Sequence, residues 1–260
     1  MKTPSEIISS ATNSGCKKAN RSFRALLLQS MFAGAYVAMA AQFSQKAAFS
    51  VGEPWSTLVF ALCFPVGLLA IIVTDAELFT GDVFLLTCST LARETTVLQL
   101  VRNWTVAWIG NFLGVMLWIL LFVYVPDALP HDFVVAMGEH KIDEHLIDTF
   151  LKGIAANWLV CLAVFQTYSS THFIGKVYAM WTPVVTFAVA GFQHCVANMY
   201  LLTIALMYGA EITLTDYLLG LLVATIGNVV GGGIFMGLGQ YVLVKNRTTI
   251  SFGMNSTTYI

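Results

Sequence analysis

Six long apolar stretches, polar interruptions inside the second and fifth, and a recurring pair of motifs predict an all-α integral membrane protein. The predicted architecture is six transmembrane helices in two inverted three-helix repeats, with the second and fifth helices broken. Of 260 residues, 57% are hydrophobic and only 10% charged, with mean hydropathy +0.76. A soluble domain carries about 25% charged residues, so this composition excludes one.

A helical crossing needs ~20 predominantly apolar residues. Stretches at about 25–48, 58–91, 104–125, 148–168, 177–207 and 217–244 qualify. The second and fifth are too long for one straight crossing. Residues 25–245 are therefore expected to form a six-helix transmembrane domain, preceded by an amphipathic segment 1–24 and followed by a tail 246–260. In the first segment, Thr3-Pro4-Ser5-Glu6 reads as a capping box with proline at the first helical position. That segment is polar and basic, without the short apolar core of a signal peptide.

Lysines and arginines set the orientation. With the N-terminus inside, Lys2, Lys17, Lys18, Arg21, Arg24, Arg93, Arg102, Lys176, Lys245 and Arg247 fall inside, ten of thirteen. Lys46, Lys141 and Lys152 fall outside with most of the acidic residues. Both termini are expected in the cytoplasm, with the protein in the inner or plasma membrane. The five cysteines show no metal or disulfide spacing and read as small apolar filler. No cofactor, metal or nucleic-acid partner is expected.

The repeat is legible in two places. Asp82-Val83-Phe84-Leu85-Leu86 resembles Asn198-Met199-Tyr200-Leu201-Leu202, and Ile109-Gly110-Asn111 resembles Ile226-Gly227-Asn228. Three crossings per half, an odd number, make the halves inverted, and such repeats hold a site near the midplane. Gly110, Gly114, Gly227, Gly231, Gly232 and Gly233 are read as close-packing positions between helices.

His194 stands where only hydrocarbon is expected, and an ionisable group at that depth is a functional candidate. A buried imidazole suits transient capture of a weak-acid anion with proton exchange. The alternative is a structural pin satisfied by Asn157 or Asn198. Thr80, followed by Gly81, can join freed backbone amides in holding the anion, or bond back to its own helix. Glu77 is expected to accept backbone N–H groups at the break, and Asp82 to cap the second half-helix. Asp75 has no role in this reading. Phe64, Leu68, Leu78, Phe79, Val160 and Phe187 are either core or dry constrictions. Lys141, alone in an acidic loop, is a surface residue or an anion attractor.

At Glu77-Leu78-Phe79-Thr80-Gly81 and His194-Cys195-Val196-Ala197-Asn198-Met199 the chain resembles the formate/nitrite transporter family. At Phe32-Ala33-Gly34-Ala35-Tyr36-Val37 and Phe235-Met236-Gly237-Leu238-Gly239 it looks closer to the nitrite branch than to the formate branch. Asn157-Trp158-Leu159-Val160-Cys161-Leu162-Ala163 supports the likeness, which extends from about Ala33 to Gly239. The resemblance implies an aquaporin-like protomer in a homopentamer, passing small monovalent anions such as nitrite and formate with transient protonation. It implies His194, Thr80, Asn157 and Lys141 as substrate or pore residues, with Asn157 contacting the histidine. It gives the six apolar residues as two constrictions. Glu77, Gly81, Gln193 and Asn198 serve as structural positions at the breaks. Lys18 loosely matches a lysine on the inner side.

Gln193 departs from the family's glutamate, and Asp75 from a small residue. A hydrosulfide or lactate-type member is the alternative within the family, and a neutral-solute pore the alternative outside it. The absence of the paired Asn-Pro-Ala motifs from this chain argues against the latter. An intramembrane enzyme is not expected, since neither a serine nucleophile elbow nor a zinc cluster is present.

Overall fold

The structure is a computed structural model and describes residues 1–245; the proposed tail 246–260 lies outside the described residues. Helix α1 spans Pro4–Ala19 and α2 Phe23–Val51. The second apolar stretch divides into α3 (Ser56–Cys63), α4 (Val66–Thr74) and α5 (Phe79–Leu91). Then come α6 (Val97–Trp118), α7 (His131–Ile142) and α8 (Leu146–Thr167). The fifth stretch divides into α9 (Phe173–Val189) and α10 (Cys195–Met207), before α11 (Leu214–Val229). Both α6 and α11 run on as π-helix, over Ile119–Tyr124 and Val230–Leu238. Five helices among the described residues are long and apolar enough to cross a membrane.

Local chemistry explains the boundaries. The predicted Thr3–Glu6 capping box forms, with Pro4 opening α1. The third long helix starts at Val97 rather than near residue 104, because Thr96 and Gln99 make a second capping box. Asp75 ends α4 in the left-handed conformation (φ 55°), and Gly191 turns the chain after α9 (φ 66°). The backbone leaves helical geometry at 75–78 and 190–194, where the sequence carries its polar residues.

Helix α1 packs on α5 at a point where Gly15 has no side chain. A Cβ there would stand 2.2 Å from the Leu85 carbonyl oxygen. The core gathers α5 and α10 at the centre, with Phe84, Leu86, Met199, Tyr200 and Leu202 buried. Leucine, isoleucine and phenylalanine side chains on α2, α6, α8 and α11 face outward instead, as lipid-facing or neighbour-facing helices require.

Candidate functional site

Each break is held by one asparagine, and the two do the same work. Asn111 on α6 accepts the Phe79 N–H at 2.9 Å and donates to Glu77 O at 2.9 Å and Ser30 O at 2.8 Å. Asn228 on α11 accepts the Cys195 N–H at 2.9 Å and donates to Gln193 O and Gly153 O, each at 2.8 Å. A primary amide offers two donors and an acceptor, which suits a helix start whose N–H groups lack partners. The bonded positions are 32 residues apart in one half and 33 in the other. The repeated glycine-asparagine pairs are the sequence signal for this role, although their glycines alone suggest only packing.

These clamps bring His194 and Thr80 together. His194 is the N-cap of α10 and is 3% exposed. Its Nδ1 accepts the Ala197 N–H at 3.1 Å, so the neutral ring carries its proton on Nε2. That nitrogen meets Thr80 Oγ1 at 2.9 Å. The ring lies 5.7 Å from Phe187 at an interplanar angle of 23°.

The expected Asn157–His194 contact does not form. Asn157 Nδ2 donates instead to Asn228 O at 2.7 Å, because side-chain-free Gly232 leaves room for that approach. Cys161, one turn on, has its thiol 3.3 Å from Thr80 O and 3.5 Å from Asn157 Oδ1. The Asn198 side-chain amide donates to Gln193 Oε1 at 2.8 Å and not to the imidazole, while its backbone N–H donates to His194 O.

Three cavities lie on one path. The central chamber, about 20 Å³, is lined by Val37, Phe64, Gly67, Leu68, Ile71, Leu78, Val160, Val184, Phe187 and His194. Its volume suits about one water. Among the described residues, His194 is the one polar side chain on its wall. Phe64 and Phe187 meet edge to face, centroids 5.9 Å apart, and are shared with a vestibule of about 410 Å³. Leu68, Ile71 and Leu78 are shared with a second vestibule of about 350 Å³ beside α1. Five of the six proposed constriction residues thus line the chamber. Phe79 does not; it is buried with its N–H on Asn111. Ile71 and Val184 also line the chamber, and nothing in the sequence separates them from core.

The vestibule beside α1 carries Lys17, Lys18, Arg21 and Lys176 against Asp75 and Asp82. Lys18 Nζ sits 3.2 Å from Glu77 Oε2 and 2.9 Å from Asp82 Oδ1, and it donates to Ala76 O. Burial opposes the Lys18 charge, but Asp82 and Glu77 more than offset it and hold the ammonium above its ordinary pKa. Arg21 Nε reaches Glu77 Oε1 at 2.9 Å, and the guanidinium also pairs with Asp75. Two expectations are therefore corrected. Glu77 takes cations rather than backbone N–H groups, apart from an Asn103 amide at 3.3 Å. Asp82 lies inside the first turn of α5 and binds Lys18, while Leu78 holds the N-cap position. Asp75, without a role in the sequence, is the exposed partner of Arg21.

The opposite vestibule carries His140, Lys141 and Lys152 against Glu53 and Glu144. Lys141 Nζ donates to Gly191 O at 3.0 Å and Phe192 O at 2.9 Å, a cation beside the C-terminus of α9. Burial lowers its pKa to about 8. Gln193 Nε2 donates to Lys141 O and Glu144 Oε2, both at 3.1 Å, and Lys152 pairs with Glu144 at 2.5 Å. Gln193 and Asn198 are thus an amide pair where the other half has the carboxyl pair Glu77 and Asp82.

A family model described as formate/nitrite transporter matches residues 5–242. The chain is 30% identical over 250 residues to the formate channel BtFdhC of Bacillus thuringiensis, covering 94% of this chain and 96% of that one. It is 35% identical over 238 residues to formate-nitrite transporter 2 of Toxoplasma gondii, covering 86% of this chain and 51% of that one. Among solved structures it resembles an FNT family ion channel with TM-score 0.86 at 26% identity, covering 91% and 98% of the two chains. It also resembles a pentameric formate channel with formate bound, with TM-score 0.74 at 27% identity over 85% and 97%.

Proposed function

We propose, starting from a chain that belongs to the formate/nitrite transporter family, that it passes small monovalent anions of weak acids, formate first and nitrite with it. It is a multi-pass membrane transporter, and its relatives are transporters and channels rather than enzymes. The observation that carries the reading is the chamber of about 20 Å³ whose one polar wall residue, among the described residues, is His194. A hydrated ion cannot fit there, so the permeant species sheds its water and its charge must be met by the wall.

Lys141 draws the anion into one vestibule, and the basic residues around α1 do so at the other. Phe64 and Phe187 on one side, and Leu68 and Leu78 on the other, strip the water. Between them His194 Nε2–H donates to the anion, and Thr80 then has its own hydroxyl proton to offer. Putting a second proton on the ring would displace the Ala197 N–H from Nδ1, at about 1 kcal/mol for a lost helix cap, before any cost of burial. His194 therefore works from its neutral form. It donates a hydrogen bond through Nε2–H, while the neutralising proton is taken up on the anion's own oxygen from water in one vestibule and returned to water in the other.

The same reading makes residues 25–245 a six-span channel of two inverted repeats, with Asn111 and Asn228 as equivalent positions. It assigns both termini to the cytoplasm, because the α1 vestibule collects the basic residues. It assigns a homopentamer, in keeping with the structural relative that is a pentameric channel.

Uptake of formate, nitrite, hydrosulfide, lactate and chloride into vesicles holding the purified protein tests this reading. Weak-acid anions should enter faster at lower external pH, and chloride should not. His194→Phe should abolish that dependence. Wild-type uptake by the variant at every pH contradicts the proposed role.

A further inference from the structure

We propose that Cys161 and Asn228 are positioning residues for the Thr80–His194 pair, acting through a closed circuit of hydrogen bonds behind the pore wall. The proposal rests on the pore reading above and names what holds its two donors in register. His194 lines the chamber, and its Nε2 meets the Oγ1 of Thr80, which is fully buried beside it, at 2.9 Å. Behind the wall, the Cys161 thiol lies 3.3 Å from Thr80 O and 3.5 Å from Asn157 Oδ1. Asn157 Nδ2 continues to Asn228 O at 2.7 Å. Asn228 Oδ1 then accepts the N–H of Cys195, which is peptide-bonded to His194.

Thr80, Asn157, Cys161, Cys195 and Asn228 are fully buried. Neither Cys161, Asn157 nor Asn228 lines the chamber or a vestibule. Their effect on a permeant anion is therefore indirect. Cys161 holds the first turn of α5, which carries Thr80, and Asn228 holds the first turn of α10, which begins at His194. One thiol proton serves two acceptors, with the Thr80 carbonyl the nearer. The Thr80 carbonyl lies within α5 and keeps its helical position, so the acceptor that a lost thiol leaves bare is the buried Asn157 Oδ1, which solvent does not repair in a site this dry.

The circuit also explains Gly232. A Cβ there would stand 2.4 Å from Asn157 Nδ2 and 2.9 Å from Cys161 Sγ, pushing both from their places. Gly232→Ala thus disturbs the circuit without removing a member of it.

The test is uptake of formate and acetate by wild type and variants in vesicles, with oligomer size checked by chromatography. Losing one buried hydrogen bond corresponds to roughly a 3- to 10-fold change. Cys161→Ala should lower formate uptake by about that factor and raise acetate uptake relative to formate, as the Thr80–His194 gap loosens. Cys161→Ser, which keeps a donor, should stay within about twofold of wild type. Gly232→Ala should shift the acetate-to-formate ratio in the same direction. Wild-type rates and ratios in both Cys161→Ala and Gly232→Ala overturn the proposal, as do equal losses in the alanine and serine variants. If Thr80→Val also transports like wild type, the pore reading itself has failed rather than the circuit.

Discussion

Removing the Asn111 side chain should loosen the first break by an amount that can be worked from its bonds. Asn111→Ala takes the acceptor from the Phe79 N–H and the donor from the Glu77 carbonyl, both buried. Each orphaned group costs about 1–3 kcal/mol, so the pair costs about 2–6 kcal/mol. The third bond, to Ser30 O, adds less, because that carbonyl lies within α2 and keeps its helical position. For a domain of this size the loss corresponds to a fall of roughly 5–20 °C in melting temperature. Asn228→Ala orphans the equivalent Cys195 N–H and Gln193 carbonyl, so the two variants should melt within a few degrees of each other. Melting of the detergent-solubilised oligomer, followed by tryptophan fluorescence, measures both. A variant that melts with wild type would refute the claim that these amides hold the breaks.

Charge, titration and packing each supply a further expected outcome. Lys18→Met removes the cation between two buried carboxylates, costing about 3–5 kcal/mol, and should free α1 so that trypsin cleaves at Lys17 faster than in wild type. Lys141, whose pKa burial lowers to about 8, is charged below that value. Uptake of fully ionised formate should therefore decline as pH rises through 8, and Lys141→Arg should remove the decline, since arginine keeps its charge. Phe187→Ala opens the edge-to-face contact with Phe64 and should admit chloride above the vesicle background. An unchanged chloride leak would mean the constriction lies elsewhere.

The breaks are legible in the sequence because charge and amides inside an apolar run are costly unless the fold or the function uses them. The backbone departs from helix at 75–78 and 190–194, within or beside the polar runs Asp75–Asp82 and Gln193–Asn198, and His194 and Thr80 meet across the two breaks. What the residues at the breaks bind is less legible. Glu77 and Asp82 are separated from Lys18 by more than fifty residues, and no local pattern foretells that α1 folds back on α5. The partner of Asn157 depends on Gly232, a glycine that looks like ordinary packing in the sequence, so the expected contact with His194 gives way to Asn228. Ile71 on α4 lines the chamber and Phe79 at the start of α5 does not, a difference that a run of apolar residues does not announce.

The central claim is that a weak-acid anion crosses the chamber with its charge cancelled by a proton. Formate uptake into vesicles clamped at different potassium diffusion potentials, with internal pH recorded by a trapped dye, tests it directly. The account predicts an initial rate independent of voltage and one proton entering per formate. A rate that follows the membrane potential, with no internal acidification, would contradict it.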